Sequence, residues 1–455
     1  MMFPPRRSAL LLALTFVLPL LGCASTPQAP PSGLSDADLS LYRGVIARVR
    51  ESYVEPVGED KLIENSLKGM LTGLDPHSDY MTESEYQDML DDNSGEFAGI
   101  GAELTRDDNR PKVITPIEDT PAARAGIKPG DVILKINGKV TDGLSLKDVV
   151  DQLRGPAGST VDISIGRREE KPFTVALTRA IIHVASVKWQ LKPDRIGYAR
   201  VTTFAEKTQQ ELTSAIDTMK HQAGGELAGF VLDLRNDPGG LLDEAVRVSG
   251  DFLDGGIVVS THGRDEEDDH IYHAPPSGDR LKGAPVVVLI NGSSASASEI
   301  VAGALQDRQR ATVIGTKSFG KGSVQTIIPL DGRGALRLTT ARYYTPSGRS
   351  IQAQGIVPDV MVTAPKNQVS AEAEILHEAD LRGALDTGGA NAGARAAARP
   401  STPRGGDDSS DDDGSIDPTI IGSAQDFQLT RALAAVHDLV HRSVARTQTP
   451  VPGSR

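Results

Sequence analysis

The 455-residue chain has one cysteine, Cys23, so no disulfide can form within it. Aromatic residues make up only 4% of it, which removes the stacking platforms that single-stranded nucleic acids need. Positive charge is also in deficit. Lys plus Arg number 48 against 61 Asp plus Glu, a net charge of −13 with pI near 5.2, and nucleic acid is excluded as a partner class on that ground. The apolar run at residues 9–21 is too short for a spanning helix with its usual flanks. Nine histidines are present, yet none falls in the two stretches around which the rest of the chain is organised.

What is present begins with an address. Arg6 and Arg7, the apolar run and Gly22-Cys23 follow the plan of a signal peptide over residues 1–22. Leu20-Leu21-Gly22-Cys23 resembles the bacterial lipoprotein box, which implies that Cys23 becomes the lipidated first residue of the mature chain. Ala24 and Ser25 follow without the aspartate that resembles an inner-membrane retention signal. The expectation is therefore a lipoprotein of the bacterial outer membrane facing the periplasm. Residues 23–35 are rich in Pro, Ser and Ala and read as a flexible tether.

The first organising stretch is an apolar run at 286–290 that breaks into Asn291-Gly292-Ser293-Ser294-Ala295-Ser296-Ala297-Ser298-Glu299 and restarts with helical periodicity. A strand, a turn and a helix in that order expose a hydroxyl beside unpaired backbone N–H groups. By chemistry alone Ser293, Ser294, Ser296 and Ser298 all qualify as nucleophile. The second stretch, Gly315-Thr316-Lys317-Ser318-Phe319-Gly320-Lys321-Gly322-Ser323-Val324-Gln325, sets a lysine between two glycines after another apolar strand. With no histidine at hand, a lysine stripped of its proton by burial can serve as the base.

Three motifs together, Asn-Gly-x-Ser-Ala-Ser-Ala-Ser-Glu-Ile, Phe-Gly-Lys-Gly-x-Val-Gln and the Asp-Leu-Arg-Asn-x-Pro-Gly-Gly loop at 233–240, resemble those of the C-terminal processing peptidases, or tail-specific serine proteases. The resemblance runs over about residues 39–362. It implies Ser296 as nucleophile, Lys321 as general base and Gln325 as the residue orienting the lysine. It implies an oxyanion hole from a glycine amide, Gly239 or Gly240, and the amide of Ala297. Asp237 stands where the family more often has asparagine. No cofactor or metal is implied.

The remaining pattern is of an α/β multidomain protein. Residues 36–95 read as an N-terminal helical segment, with helices at 61–71 and 83–90 and a turn at Asp75-Pro76-His77-Ser78, where His77 is expected to serve as a cap or turn ligand. Residues 96–180 alternate short strands and turns around one helix and resemble a PDZ domain. In such domains the loop matched by Gly99, Ile100 and Gly101 holds a terminal carboxylate, and the peptide adds as an edge strand. Residues 181–365 alternate strands and helices in βαβ rhythm, the expected protease core. In it, Asp237-Pro238-Gly239-Gly240 is expected to open a helix with its amides free. Residues 366–387 read as a helical extension, 388–415 as a low-complexity insert expected to be disordered, and 416–455 as a C-terminal helix docking on the core, with a flexible tail.

Two look-alikes fail on residue grounds. Gly315 to Lys321 imitates a P-loop, but Gly322 replaces the required Ser or Thr, and strand pattern follows where a helix is needed. His437-Asp438-Leu439-Val440-His441 imitates a zinc-protease helix, with aspartate for glutamate and no evident third ligand. The rival from another functional class is a catalytically inactive PDZ scaffold, whose expected sign is loss of the serine or the lysine. Both are present. The expected partners are protein substrates with a free C-terminus and, through the lipid, a membrane; a homo-oligomer or an adaptor protein is compatible with the sequence.

Overall fold

The computed structural model describes residues 33–107, 109–168, 170–370, 376–387 and 415–448. The expected signal peptide, Cys23 and the insert up to residue 414 lie outside the described residues. The chain divides after Ile63 into two units. In the first, Ser35 caps the helix Asp36–Ser52, accepting the Asp38 N–H at 3.2 Å, and none of the helix is buried.

The second unit continues the helix Glu59–Thr72 into the Asp75-to-Ser78 turn, the strand Asp79–Met81 and the helix Glu83–Ser94. Thr82 and Glu85 close that last helix with a capping box, and Gly95 ends it at φ 69°. This helix starts at residue 83 as the pattern suggests and outruns it at the C-terminal end, where the Gly95 cap rather than periodicity decides the stop.

The PDZ region is a sheet in the order Ala102–Asp107, Arg110–Pro116, Val132–Ile136, Thr160–Gly166, Phe173–Thr178, with the helix Leu146–Leu153 started by a Ser145–Asp148 capping box. Its own core gathers Ile100, Val113, Ile133, Ile136, Val149, Ile163 and Leu177. Both ends of the domain meet in a two-stranded antiparallel ribbon, Glu96–Gly99 on Ala180–His183.

The protease core holds a six-stranded sheet ordered Val187–Lys192, Ile196–Val201, Gly229–Asp233, Val286–Ile290, Ala311–Gly315, Val360–Met361. Every neighbouring pair is parallel except the first. Both faces of the central strands are covered, so Gly229–Asp233 and Val286–Ile290 are buried throughout and read as near-continuous apolar runs. Ala199, Phe230, Leu232 and Val288 meet Leu212, Ile216, Val248 and Ile300 of the helices Thr208–Gln222, Leu242–Gly250 and Ala297–Asp307. Tyr198, Val231, Val287 and Leu289 meet Leu429, Ala432 and Val436 of the C-terminal helix Phe427–Gln448. A second, five-stranded sheet is antiparallel and includes Asp79–Met81, Ile257–His262, Ser323–Pro329 and Ala335–Tyr344.

One segment departs from expectation. Among the described residues of 366–387 there is no α-helix, only single turns at Lys366–Gln368 and Glu378–Asp380. Cross-links to the C-terminal segment explain this: Val369 bridges to Ile416, and Gln368 holds Asp417 and Gln425.

Candidate active site

The strand Val286–Ile290 delivers Ser296 to the carboxyl edge of the sheet, and Ser296 caps the helix Ala297–Asp307. Its φ of 54° and ψ of −112° are costly for a side-chain-bearing residue, by roughly 1–3 kcal/mol, and persist only because the surroundings fix them. Those surroundings are identifiable. Ala295 N–H donates to Asp237 O at 3.0 Å, Ser294 O accepts from Phe319 N–H at 3.0 Å, and Ser296 N–H donates to Glu299 Oε2 at 2.8 Å.

The same geometry separates the competing serines. Ser294 Oγ donates to Leu234 O at 2.8 Å and Ser298 Oγ to Asp237 O at 3.2 Å, and both residues are fully buried. Ser293 lies earlier in the turn. Ser296 lies against Gly239, where an added Cβ would sit 2.9 Å from Ser296 Cβ and 2.8 Å from Ala297 N.

Gly239 and Gly240 are not the free helix start that the sequence suggests. The helix begins at Leu242; Leu241 N–H already donates to Phe204 O at 2.8 Å, and Gly239 N–H to Asp237 Oδ1 at 2.8 Å. Among the described residues neither Gly240 N–H nor Ala297 N–H makes a hydrogen bond. Asp237 Oδ2 is buried without a hydrogen-bond partner among the described residues, and burial pushes this carboxyl well above the usual range. Asn236, at φ 55°, is held from both sides by the backbone of Ile416 and by Asn291. Deeper in the loop, Arg235 is fully buried between Asp233 and Asp426, which ties the C-terminal segment to the loop at 233–240.

Lys321 lies in the loop between Ala311–Gly315 and Ser323–Pro329. Its N–H donates at 2.9 Å to the same Glu299 oxygen that holds Ser296. Burial is the main cause that lowers its ammonium below the ordinary lysine value, with Arg337 adding to it and Glu378, Glu299 and Asp75 opposing. Among the described residues no hydrogen bond joins Lys321 Nζ to Ser296 Oγ or to Gln325. Gln325 Nε2 donates instead to Ser323 Oγ at 2.9 Å and to Thr339 Oγ1 at 3.2 Å.

Three participants escaped the sequence reading. Glu299 is fully buried, burial pushes it up to about 7, and it accepts from Ser296 N–H, Ser318 Oγ, Gly320 N–H and Lys321 N–H. Its spacing three residues after Ser296 is that of a capping box, a signal that was available. His77 does close its turn, donating N–H to Asp75 Oδ1 at 2.8 Å. Its ring, however, pairs with the buried Glu378 at 2.7 Å, and Glu378 holds Gln352, which in turn accepts from Gly322 N–H beside Lys321. A contact across 301 residues leaves no local trace.

In the PDZ domain the carbonyls of Ile100 and Gly101 are held by Ala122 N–H at 2.8 Å and Ile117 N–H at 3.0 Å. The adjoining strand Ala102–Asp107 is at the edge of its sheet. A Cβ at Gly101 would lie 2.3 Å from Thr120 Cβ, so only glycine fits this turn, at φ 77°.

Residues 195–362 match Peptidase family S41 and residues 112–167 match the PDZ domain. The chain is 51% identical over 348 residues to the carboxy-terminal-processing protease of Bartonella bacilliformis, covering 76% of this chain and 80% of that protein. It is 38% identical to a probable CtpA-like serine protease of Staphylococcus haemolyticus, over 70% of this chain and 64% of the other. Among solved structures, the photosystem II D1 C-terminal processing protease aligns with 30% identity over 73% of this chain and 94% of its own, at a TM-score of 0.42.

Proposed function

Because the chain belongs to peptidase family S41 and is a C-terminal processing serine protease with a PDZ domain, we propose that it cleaves its substrates with Ser296 as nucleophile, Lys321 as general base and Gln325 as orienter. The observation that carries this reading is the shared Glu299 oxygen, which holds the backbones of serine and lysine in register while burial lowers the lysine ammonium below its ordinary value. Ser296 Oγ attacks the scissile carbonyl, Lys321 takes the hydroxyl proton and returns it to the leaving amine, and water then resolves the acyl-enzyme. The amides of Ala297 and Gly240 are the pair left to form the oxyanion hole, since that of Gly239 is engaged by Asp237. The substrate's C-terminal carboxylate is received at Gly99, Ile100 and Gly101, and its last residues add to the strand Ala102–Asp107. Labelling with a serine-reactive fluorophosphonate tests the assignment: the adduct is expected on Ser296, and an adduct on Ser293 overturns it.

The setting proposed is the bacterial envelope, with a lipid on Cys23 anchoring the enzyme to the outer membrane on its periplasmic side. The support is the arrangement of Arg6, Arg7, the apolar run and Leu20-Leu21-Gly22-Cys23. Cys23→Ser is then expected in the soluble fraction, and a variant that still pellets with membranes rejects this anchor.

A further inference from the structure

In the proposed mechanism the carboxamide of Gln325 orients Lys321, and the two ends of that carboxamide would have opposite effects. Its oxygen would accept from the ammonium that forms when Lys321 takes the serine proton; its NH2 group would repel that ammonium. Ser323 Oγ, 2.9 Å from Nε2, cannot choose between them, because a hydroxyl donates or accepts equally well. The choice is made further away.

Asp75 is buried and accepts from His77 N–H at 2.8 Å, Ser78 N–H at 2.9 Å, Ser78 Oγ at 2.6 Å and Thr339 Oγ1 at 3.0 Å. Burial alone would raise this carboxyl, but those bonds hold it below its ordinary value, so it is ionised at neutral pH and can only accept. Thr339 must therefore give Asp75 its single proton. Only lone pairs remain on Thr339 Oγ1 for Gln325, 3.2 Å away, which must present its NH2 group there. The carboxamide oxygen is the end left over.

We propose that Asp75 and Thr339 are positioning residues for the hydrolysis, fixing Gln325 with its oxygen available to Lys321. The inference rests on the reading of Lys321 as the base. It gives the N-terminal turn a part in catalysis: a segment more than 200 residues before the lysine decides which end of an amide the lysine meets.

The decisive variant is Thr339→Val, which keeps the shape and suits the strand Ala335–Tyr344 but removes both roles of the hydroxyl. In the full chain acting on a short peptide, kcat is expected to fall about tenfold or more, the worth of one hydrogen bond to a charged group, with KM and Tm unchanged. Thr339→Ser restores it. The acidic limb of the pH profile moves to lower pH in Thr339→Val, because the ammonium loses its acceptor. Of the other charges facing Lys321, Arg337, Glu378 and Glu299 are unaltered in this variant, as is His77 on Glu378, while Asp75 loses one donor and keeps those of His77 and Ser78. In a Gln325→Ala background the Thr339→Val change has no further effect on kcat. A Thr339→Val enzyme within twofold of wild type, or an equal loss with and without Gln325, overturns the proposal. Activity surviving in Lys321→Ala would instead defeat the underlying assignment of the base, so the two failures are told apart.

Discussion

The backbone N–H groups of Ser296 and Lys321, 25 positions apart in sequence, donate at 2.8 and 2.9 Å to one oxygen atom, Oε2 of Glu299. The other oxygen holds Ser318 and Gly320, so a single carboxylate sets the distance between the two loops that must react together. Glu299→Gln replaces one acceptor oxygen by an NH2 group facing N–H donors. A shift of about 1 Å in either loop is enough to lower kcat by roughly 10²-fold. Steady-state cleavage of a short peptide checks this, and a variant within fivefold of wild type would show that the carboxylate is dispensable.

Asp237 yields a prediction in stability rather than rate. Burial raises its folded-state pKa above the unfolded value, opposed by the Gly239 N–H, Ser298 and the charge of Arg200. For an acid shifted in this direction the native state holds the proton more tightly. Its stabilising contribution is complete below the unfolded value near 3.9 and is lost as pH rises. Asp237→Asn stays neutral throughout and keeps the oxygen that Gly239 needs. Urea unfolding from pH 4 to pH 8 is therefore expected to show the asparagine variant gaining on wild type as pH increases. A constant gap would mean that Asp237 does not titrate differently in the fold.

The elements that the sequence displayed were those whose determinants are local. The run at 286–290 and the strand Ser323–Pro329 declare themselves through apolar composition, and Ser296 and Lys321 through the small residues that surround them. What stayed hidden was what distant segments bring. The ring of His77 was read as part of a turn, because Glu378 lies 301 positions away. Gly239 was read as a free amide, because an Asx contact with Asp237 depends on backbone angles that composition does not reveal. The strand Val187–Lys192 escaped notice because it is an edge strand with exposed Lys188, Trp189 and Gln190 and so lacks an apolar run. Among its described residues the extension at 366–387 is not helical, because its pairing partners lie beyond the insert, where no periodicity within the segment can register them.

The PDZ domain is tied at both ends through the ribbon Glu96–Gly99 and Ala180–His183, and its helix is held to Glu83–Ser94 by Asp88, which pairs with Lys147 at 2.8 Å and Arg154 at 3.0 Å. Lys207 pairs with Glu96 at the foot of the ribbon, on the protease side. A domain anchored in this way can act as a gate rather than a passive tether. Replacing residues 100–179 by a short linker is expected to slow cleavage of a short peptide that needs no capture. Faster cleavage would indicate obstruction, and unchanged cleavage with loss only on long substrates would leave a tether alone.

The central claim is that Ser296 and Lys321 act as one unit, and the most direct test compares their single and double replacements on one short peptide. Groups that act together are not additive, so Ser296→Ala, Lys321→Ala and the double variant should share one residual rate, with Gln325→Ala less impaired and EDTA without effect on the wild type. A Lys321→Ala enzyme that retains full activity while Ser296→Ala is inactive would contradict the account, because another group would then be taking the proton from the serine.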